Sequence, residues 1–150
     1  VKDTLRVGDV FTWSYKIPRE KTVPFLYPES DIYRAMPEVF ATGYMVGLIE
    51  WCCIEALRPH LEKGEGSLGT LINVTHTSPT PVGMNVTVTA ICDEIREGDN
   101  VLWTVTVRDE EDLIGEGRHG RHVVQWDRFN RRLEKKIEKL QQSTRGHRMM

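Results

Sequence analysis

Between Pro37 and Leu61 runs PEVFATGYMVGLIEWCCIEALRPHL, a stretch apolar nearly all round yet interrupted in its middle by a carboxylate, Glu50. The spacing predicts one long helix. Pro37 suits a first helical position, where its missing N–H costs nothing. Glu38 then sits near the positive end of the helix dipole. Pro59 and Gly64 mark the far end. At about 1.5 Å per residue the helix would be about 37 Å long. Phe40, Tyr44, Leu48 and Trp51 or Cys52 make one apolar stripe, and Val46, Ile49 and Cys53 make another. A helix this apolar is expected to be buried on more than one side. Gly43 and Gly47 lie four apart and suggest close approach by a strand or a ligand, and Glu50 falls on the same stripe.

A buried helix needs a surface to wrap it, and the rest of the chain reads as strands. Residues 5–17 alternate, with Phe11, Trp13, Tyr15 and Ile17 on one apolar face. Residues 18–36 form a proline-rich loop, in which Ser30-Asp31 can cap a single helical turn before Met36-Pro37 breaks it. This loop, carrying Phe25, Tyr27, Tyr33 and Met36, is either a lid over a pocket or a connection packed on the core. Four strand-like runs follow, over residues 66–78, 84–95, 101–108 and 113–126, with Gly98-Asp99-Asn100 supplying a hairpin turn. A polar helix starts at about Asp127, which is its expected cap. The order of strand, long helix and four antiparallel strands predicts an α+β fold, a curved antiparallel sheet wrapped around one central helix. One helix cannot cover the edges of such a sheet, so a second copy pairing edge to edge is expected, giving a homodimer.

Composition narrows the function. No apolar run reaches the roughly 18 residues a membrane helix needs, and the opening VKDTLRVGD has no secretory pattern. A soluble, cytoplasmic protein is expected, with no membrane partner. Three cysteines without a C-x-x-C read as small hydrophobes, and no ligand cluster suggests a metal. A net charge of −2 gives no general pull toward nucleic acid, and nothing resembles a helix-turn-helix. The charge is uneven, however. From Asp127 onward the chain carries +5, against −7 before it. The division expected is a domain over residues 1–126 and a basic helix and tail over residues 127–150. The tail is either a solvated helix with Glu–Lys pairs or a basic flank for an anionic ligand such as a nucleotide phosphate.

Thr42, Glu50 and His76 are the candidate chemical groups. In residues 66–78, Leu68, Thr70, Ile72, Val74 and His76 share a face expected to meet the helix. An imidazole is the usual proton carrier near neutral pH. On Glu50, burial and a nearby imidazolium would act in opposite directions. Thr42 precedes Glu50 by eight residues, about 80° round the helix, so direct contact between them is not assured.

The strings PEVFATGYMVGLIEW, GEGSLGT, VTHT and IGEGRHGRHVV occur in this order along the chain. Together they resemble the fluoroacetyl-CoA thioesterase family of the hotdog superfamily, over nearly all of the chain up to about residue 131. The resemblance implies hydrolysis of a short-chain acyl-CoA thioester, with coenzyme A as part of the substrate and no separate cofactor. It implies Thr42, Glu50 and His76 as the catalytic set and Gly69 as a backbone contact to the acyl group or the oxyanion. It implies His119 and Arg121 on the last strand as substrate contacts. It also implies that Tyr33 and Met36 stand where aromatic side chains gate the acyl pocket. A Met there departs from the pattern and puts fluoroacetyl selectivity in question. The rival readings are an enoyl-CoA hydratase on the same fold and a protein that binds acyl-CoA without turning it over.

Overall fold

The computed structural model describes residues 1–149, with side-chain environments through residue 146. Five strands form one antiparallel sheet: β1 (Val10–Lys16), β2 (Glu65–Val74), β3 (Asn85–Arg96), β4 (Asn100–Arg108) and β5 (Leu113–Gln125). Their order across the sheet is β1-β3-β4-β5-β2, which leaves β1 and β2 as the two edges. A one-turn helix α1 (Asp31–Arg34), the central helix α2 (Thr42–Leu57) and the C-terminal helix α3 (Trp126–Met149) complete the fold. The curved sheet with one central helix is the architecture the chain order predicts.

The core lies between α2 and the inner face of the sheet. Met45, Leu48, Ile49, Cys52, Cys53 and Leu57 of α2 are buried against Val86, Val88 and Ala90 of β3 and Val101, Trp103, Val105 and Val107 of β4. All three cysteines are free and buried, as a small-hydrophobe role requires. Contact with Cys52, and then burial, push the Cys53 thiol up, so it stays neutral. Burial likewise pushes Cys92 up to about 11.

The central helix is shorter than expected. It starts at Thr42 and ends at Leu57, followed by a 3-10 turn over Arg58–His60. Sixteen residues span about 24 Å. Pro37 is not its first residue, because residues 37–41 are held extended by backbone pairing. Val23 N–H donates to Val39, Phe40 N–H to Thr80, and Ala41 N–H to Lys21. These bonds satisfy donors and acceptors that a longer helix would use internally. The helix is buried on one side rather than two, with Trp51 and Ile54 about two-fifths exposed on the other.

Two strand boundaries also move. The first strand begins at Val10, not Leu5. The second ends at Val74, although Thr75 and Thr77 still donate backbone hydrogen bonds to Glu116 and Ile114. The register slips between Gly69 and Leu71, so strict alternation does not hold along β2. Thr70 and Ile72, expected on the buried face, are exposed. Their strand is an edge, with one side open to solvent, and the register slip takes Thr70 out of the alternation.

The turn chemistry behaves as expected. Ser30 Oγ accepts from the Tyr33 amide at 3.2 Å and caps α1. Asp99 adopts φ 61° beside Gly98 at φ 76°, the left-handed pair a tight hairpin requires. At α3 the cap differs from expectation. The helix starts at Trp126, and the Gln125 side chain, not Asp127, accepts from the Arg128 amide at 3.3 Å. Gly66 allows the Trp126 indole to lie over β2. A Cβ there would stand 2.1 Å from the indole, so a side chain would displace the start of α3.

Candidate active site

Two groups of polar side chains meet α2 at different heights. The first is at its N-terminus. Thr42 is the opening residue of the helix, and Ala41 before it offers no side-chain cap. The first-turn amides therefore lack the side-chain acceptor that a Ser or Asp would provide. Thr42 Oγ1 and His76 Nδ1 share a hydrogen bond at 2.7 Å. The His76 ring packs edge-on to Phe40, with centroids 6.5 Å apart. Its Nε2 is shielded from solvent yet has no hydrogen-bond partner among the described residues. Burial pushes the imidazole below its ordinary pKa, opposed by the backbone of Ser78. His76 is thus held neutral, with one nitrogen engaged and one uncommitted.

The second group lies two turns further along α2. Glu50 is half-exposed and stands against β2 and β5. A Cβ on Gly69 would come within 2.5 Å of Glu50 Oε1, so glycine at this position lets the carboxylate lie directly on the strand. Arg121 Nη1 is 3.9 Å from Glu50 Oε1. The guanidinium is almost fully buried, and its other donors are committed. Nε donates to Ser67 Oγ at 2.8 Å and Nη2 to the Ser67 carbonyl at 3.0 Å. His119, fully buried, completes the group. Its Nδ1–H donates to the Leu71 carbonyl at 2.8 Å, which leaves Nε2 of the neutral ring to accept from Arg121 Nη1 at 3.2 Å. Burial pushes the His119 pKa down, the backbone of Leu71 opposing, and Arg121 adds to the downward push. A neutral imidazole in this tautomer is the form that fits both bonds.

Within one chain, Glu50 and His76 therefore do not touch. Thr42 bonds His76 rather than Glu50, and the helix rise between Thr42 and Glu50 is about 12 Å. His119 and Arg121 are not exposed sheet residues. They form a buried brace behind Glu50, anchored on Ser67 and Leu71. Sequence reading did not single out Ser67 or Leu71, since neither a serine nor a backbone carbonyl on an edge strand carries a recognisable signal. Tyr33 packs on Tyr27, ring centroids 5.5 Å apart, and Met36 is about two-fifths exposed. Neither lines the apolar slot of about 370 Å³ beside α2, which is formed by Tyr15, Lys21, Phe40, Tyr44, Gly47, Leu48 and Trp51. Of the glycine pair, Gly43 faces the Leu26 side chain, whereas Gly47 has open space above it.

The sequence profile of the fluoroacetyl-CoA-specific thioesterase family matches residues 26–127. The chain belongs to this family. A fluoroacetyl-CoA thioesterase of Streptantibioticus cattleyicolor is 51% identical over 136 residues, covering 91% of this chain and 97% of that protein. A solved structure of the fluoroacetyl-CoA thioesterase FlK, a threonine-to-alanine variant in complex with fluoroacetate, superposes with a TM-score of 0.85 at 50% identity. It covers 88% of this chain and 98% of its own. A thioesterase superfamily member of Thermus thermophilus is 26% identical, with a TM-score of 0.79, covering 91% of this chain and 98% of its own. A hot-dog-like protein of Thermanaerovibrio acidaminovorans shares the fold at 22% identity and a TM-score of 0.75, covering 88% of this chain and 93% of its own. The family thus carries the hotdog fold. No described helix is long and apolar enough to cross a membrane.

Proposed function

We propose that the protein hydrolyses small acyl-CoA thioesters to the free acid and coenzyme A. Membership of the thioesterase family supports the reaction type. The observation that supports the site is the Glu50 carboxylate lying on Gly69 with the Arg121 guanidinium behind it. Glu50 acts as general base. It takes a proton from water as the water oxygen attacks the thioester carbonyl carbon. The C–S bond then breaks, and the coenzyme A sulfur leaves with a proton as the thiol. Backbone N–H groups, Gly69 and the uncapped first turn of α2 among them, hold the developing oxyanion. Each such donor is worth roughly 3 kcal/mol in acyl transfer. The reaction as written needs only water and the thioester, and the cytoplasm is the compartment where acyl-CoA is expected.

The working unit in this proposal is a homodimer paired through the β2 edge, where Leu71 and Ile72 are about two-fifths exposed. A two-fold axis sets residue i against j and j against i. Two half-sites at different heights on α2 are then completed twice, with Thr42–His76 of one copy facing Glu50 of the other. The uncommitted Nε2 of His76 is directed at the reacting groups in this arrangement.

Hydrolysis of an acyl-CoA panel by the wild type, Glu50→Gln and His76→Ala tests the reaction. Equal activity of all three removes the assignment. A single turnover in H2-18O puts the label in the acid if water attacks the thioester; attack by Glu50 gives a mixed anhydride, and its opening by water at the Glu50 carbonyl would instead leave the acid unlabelled and put the label in Glu50. Subunit exchange between the two inactive variants tests the shared site. About one quarter of wild-type activity should return, because half of the random dimers then hold one intact site. No recovery, or a monomeric mass at micromolar concentration, overturns the dimer reading.

A further inference from the structure

The C-terminal helix carries an apolar stripe that the thioesterase site leaves unused. α3 is seated through its first turn, where Trp126 lies over Gly66 and Phe129 packs edge-on to it with ring centroids 5.7 Å apart. From Asn130 to Gly146 every residue is exposed. Leu133, Ile137 and Leu140 are among them, at 43%, 44% and 66% exposure. They fall at i, i+4 and i+7, so they line one face of the helix. Ion pairs do not support this helix instead. Arg131 and Lys135 stand three residues before Glu134 and Glu138, yet among the described residues no ion pair involves α3. Most helical stability comes from packing of an apolar face, and here that face is uncovered. The matched family span ends at residue 127, before the stripe begins.

The spacing names the occupant. Asn130, Ile137 and Thr144 take the a positions of a heptad repeat, and Leu133 and Leu140 take the d positions. Ile at a with Leu at d favours two parallel strands, and a single Asn at a fixes register at a cost in stability. Charge selects the same orientation. Lys136 holds a g position and Glu134 and Gln141 hold e positions. Parallel chains set Lys136 of one copy beside Gln141 of the other, whose amide oxygen can accept from the ammonium. Antiparallel chains would instead bring Lys136 toward Lys136 and Glu134 toward Glu134, and would set Asn130 against Leu140 without a polar partner. A lipid surface fits less well. Asp127, Glu134 and Glu138 flank the stripe on one side and Arg132, Lys136 and Lys139 on the other, whereas a helix lying on an anionic bilayer is basic across its polar face.

We propose that α3 pairs in parallel and in register with α3 of a second copy of this chain, burying Leu133, Ile137 and Leu140 around a contact between the two Asn130 side chains. The pairing is a contact separate from the β2 edge, and it does not depend on the thioesterase reading. Two heptads make a weak coil alone, and edge pairing through β2 would raise the local concentration of the two helices.

The test is cross-linking of the full chain at single introduced cysteines. The native cysteines are buried and stay out of the reaction. Leu133→Cys and Leu140→Cys, at exposed positions that a folded protein tolerates, are each oxidised with copper phenanthroline at micromolar concentration. A parallel, in-register pair brings both d positions within disulfide reach, so each variant should yield same-residue dimers from about half of its chains or more. Lys135→Cys, at an outward f position, should yield about tenfold less. Absence of the Leu133 and Leu140 cross-links, or equal yield at all three positions, overturns the proposal. Absence of cross-links with a dimeric mass removes the helix pairing and leaves the edge pairing standing. Sedimentation of the wild type with phosphatidylglycerol vesicles, without cross-linking, overturns it in favour of a lipid surface.

Discussion

The two ends of the candidate site are built on opposite principles. Around Glu50, nearly every polar atom is spoken for: Arg121 is held by Ser67 and His119, and His119 is held by Leu71. Around His76 the network stops, with Nδ1 bonded to Thr42 and Nε2 without a partner among the described residues. Buried polar atoms are ordinarily paired, and an exception calls for an explanation. A fully bonded group fixes a reacting side chain in place. An open-ended group can take a partner, which in the proposed mechanism is the substrate or a second copy. In that mechanism Glu50, with the bonded group behind it, takes the proton from water, and the open Nε2 of His76 faces the reacting groups.

The sharpest way to break this contrast is Glu50→Gln. It should lower kcat/KM by about 10³-fold, in the range general acid–base groups contribute. A melting temperature close to wild type would show that the loss is chemical. Arg121→Met comes next and should act on both stability and rate. Removing the guanidinium leaves His119 Nε2 and the Ser67 carbonyl without their donor, which costs about 1–3 kcal/mol for an unsatisfied buried group, and denaturant unfolding should show a loss of that order. Arg121→Lys should recover less than half of it, since a lysine cannot reproduce the fork to Ser67 and His119. If Arg121→Met unfolds like wild type, the brace is not structural.

Gly69→Ala sharpens the comparison at smaller scale. The added methyl would meet Glu50 Oε1, the movable end of a side chain, rather than backbone. Activity should fall about tenfold to a hundredfold, by misplacement of the base, while the melting temperature stays near wild type. A large stability loss with intact activity would contradict the geometry. The smallest effect is a pH dependence of stability. His76 and His119 both have folded pKa values pushed below the ordinary 6.5. The unfolded chain therefore binds protons more readily, and stability should decline as pH falls below about 6.5 toward the folded values. His119→Gln should flatten that slope, measured by unfolding between pH 7.5 and 5. An unchanged slope would show that His119 does not titrate as a buried neutral ring.

The amino-acid order alone determined the strand, helix and four-strand sequence, because alternation and helical spacing are local properties of the chain. It also determined the family, through several short strings in fixed order, and it put Thr42, Glu50, Gly69, His76, His119 and Arg121 among the residues of interest. What it could not determine was how far each pattern extends. The helix stopped at Thr42 because Lys21, Thr80 and Val23 take the backbone bonds of residues 39–41, a competition between distant segments. Nor could spacing show that Arg121 is buried behind Glu50 rather than facing solvent. That depends on β5 lying inside the sheet, with β2 beyond it as the edge. The seating of α3 is another such case, since a side chain at Gly66 would meet the Trp126 indole where the helix begins. Periodicity fixes which face a residue takes, but only the packing of remote elements decides what that face meets.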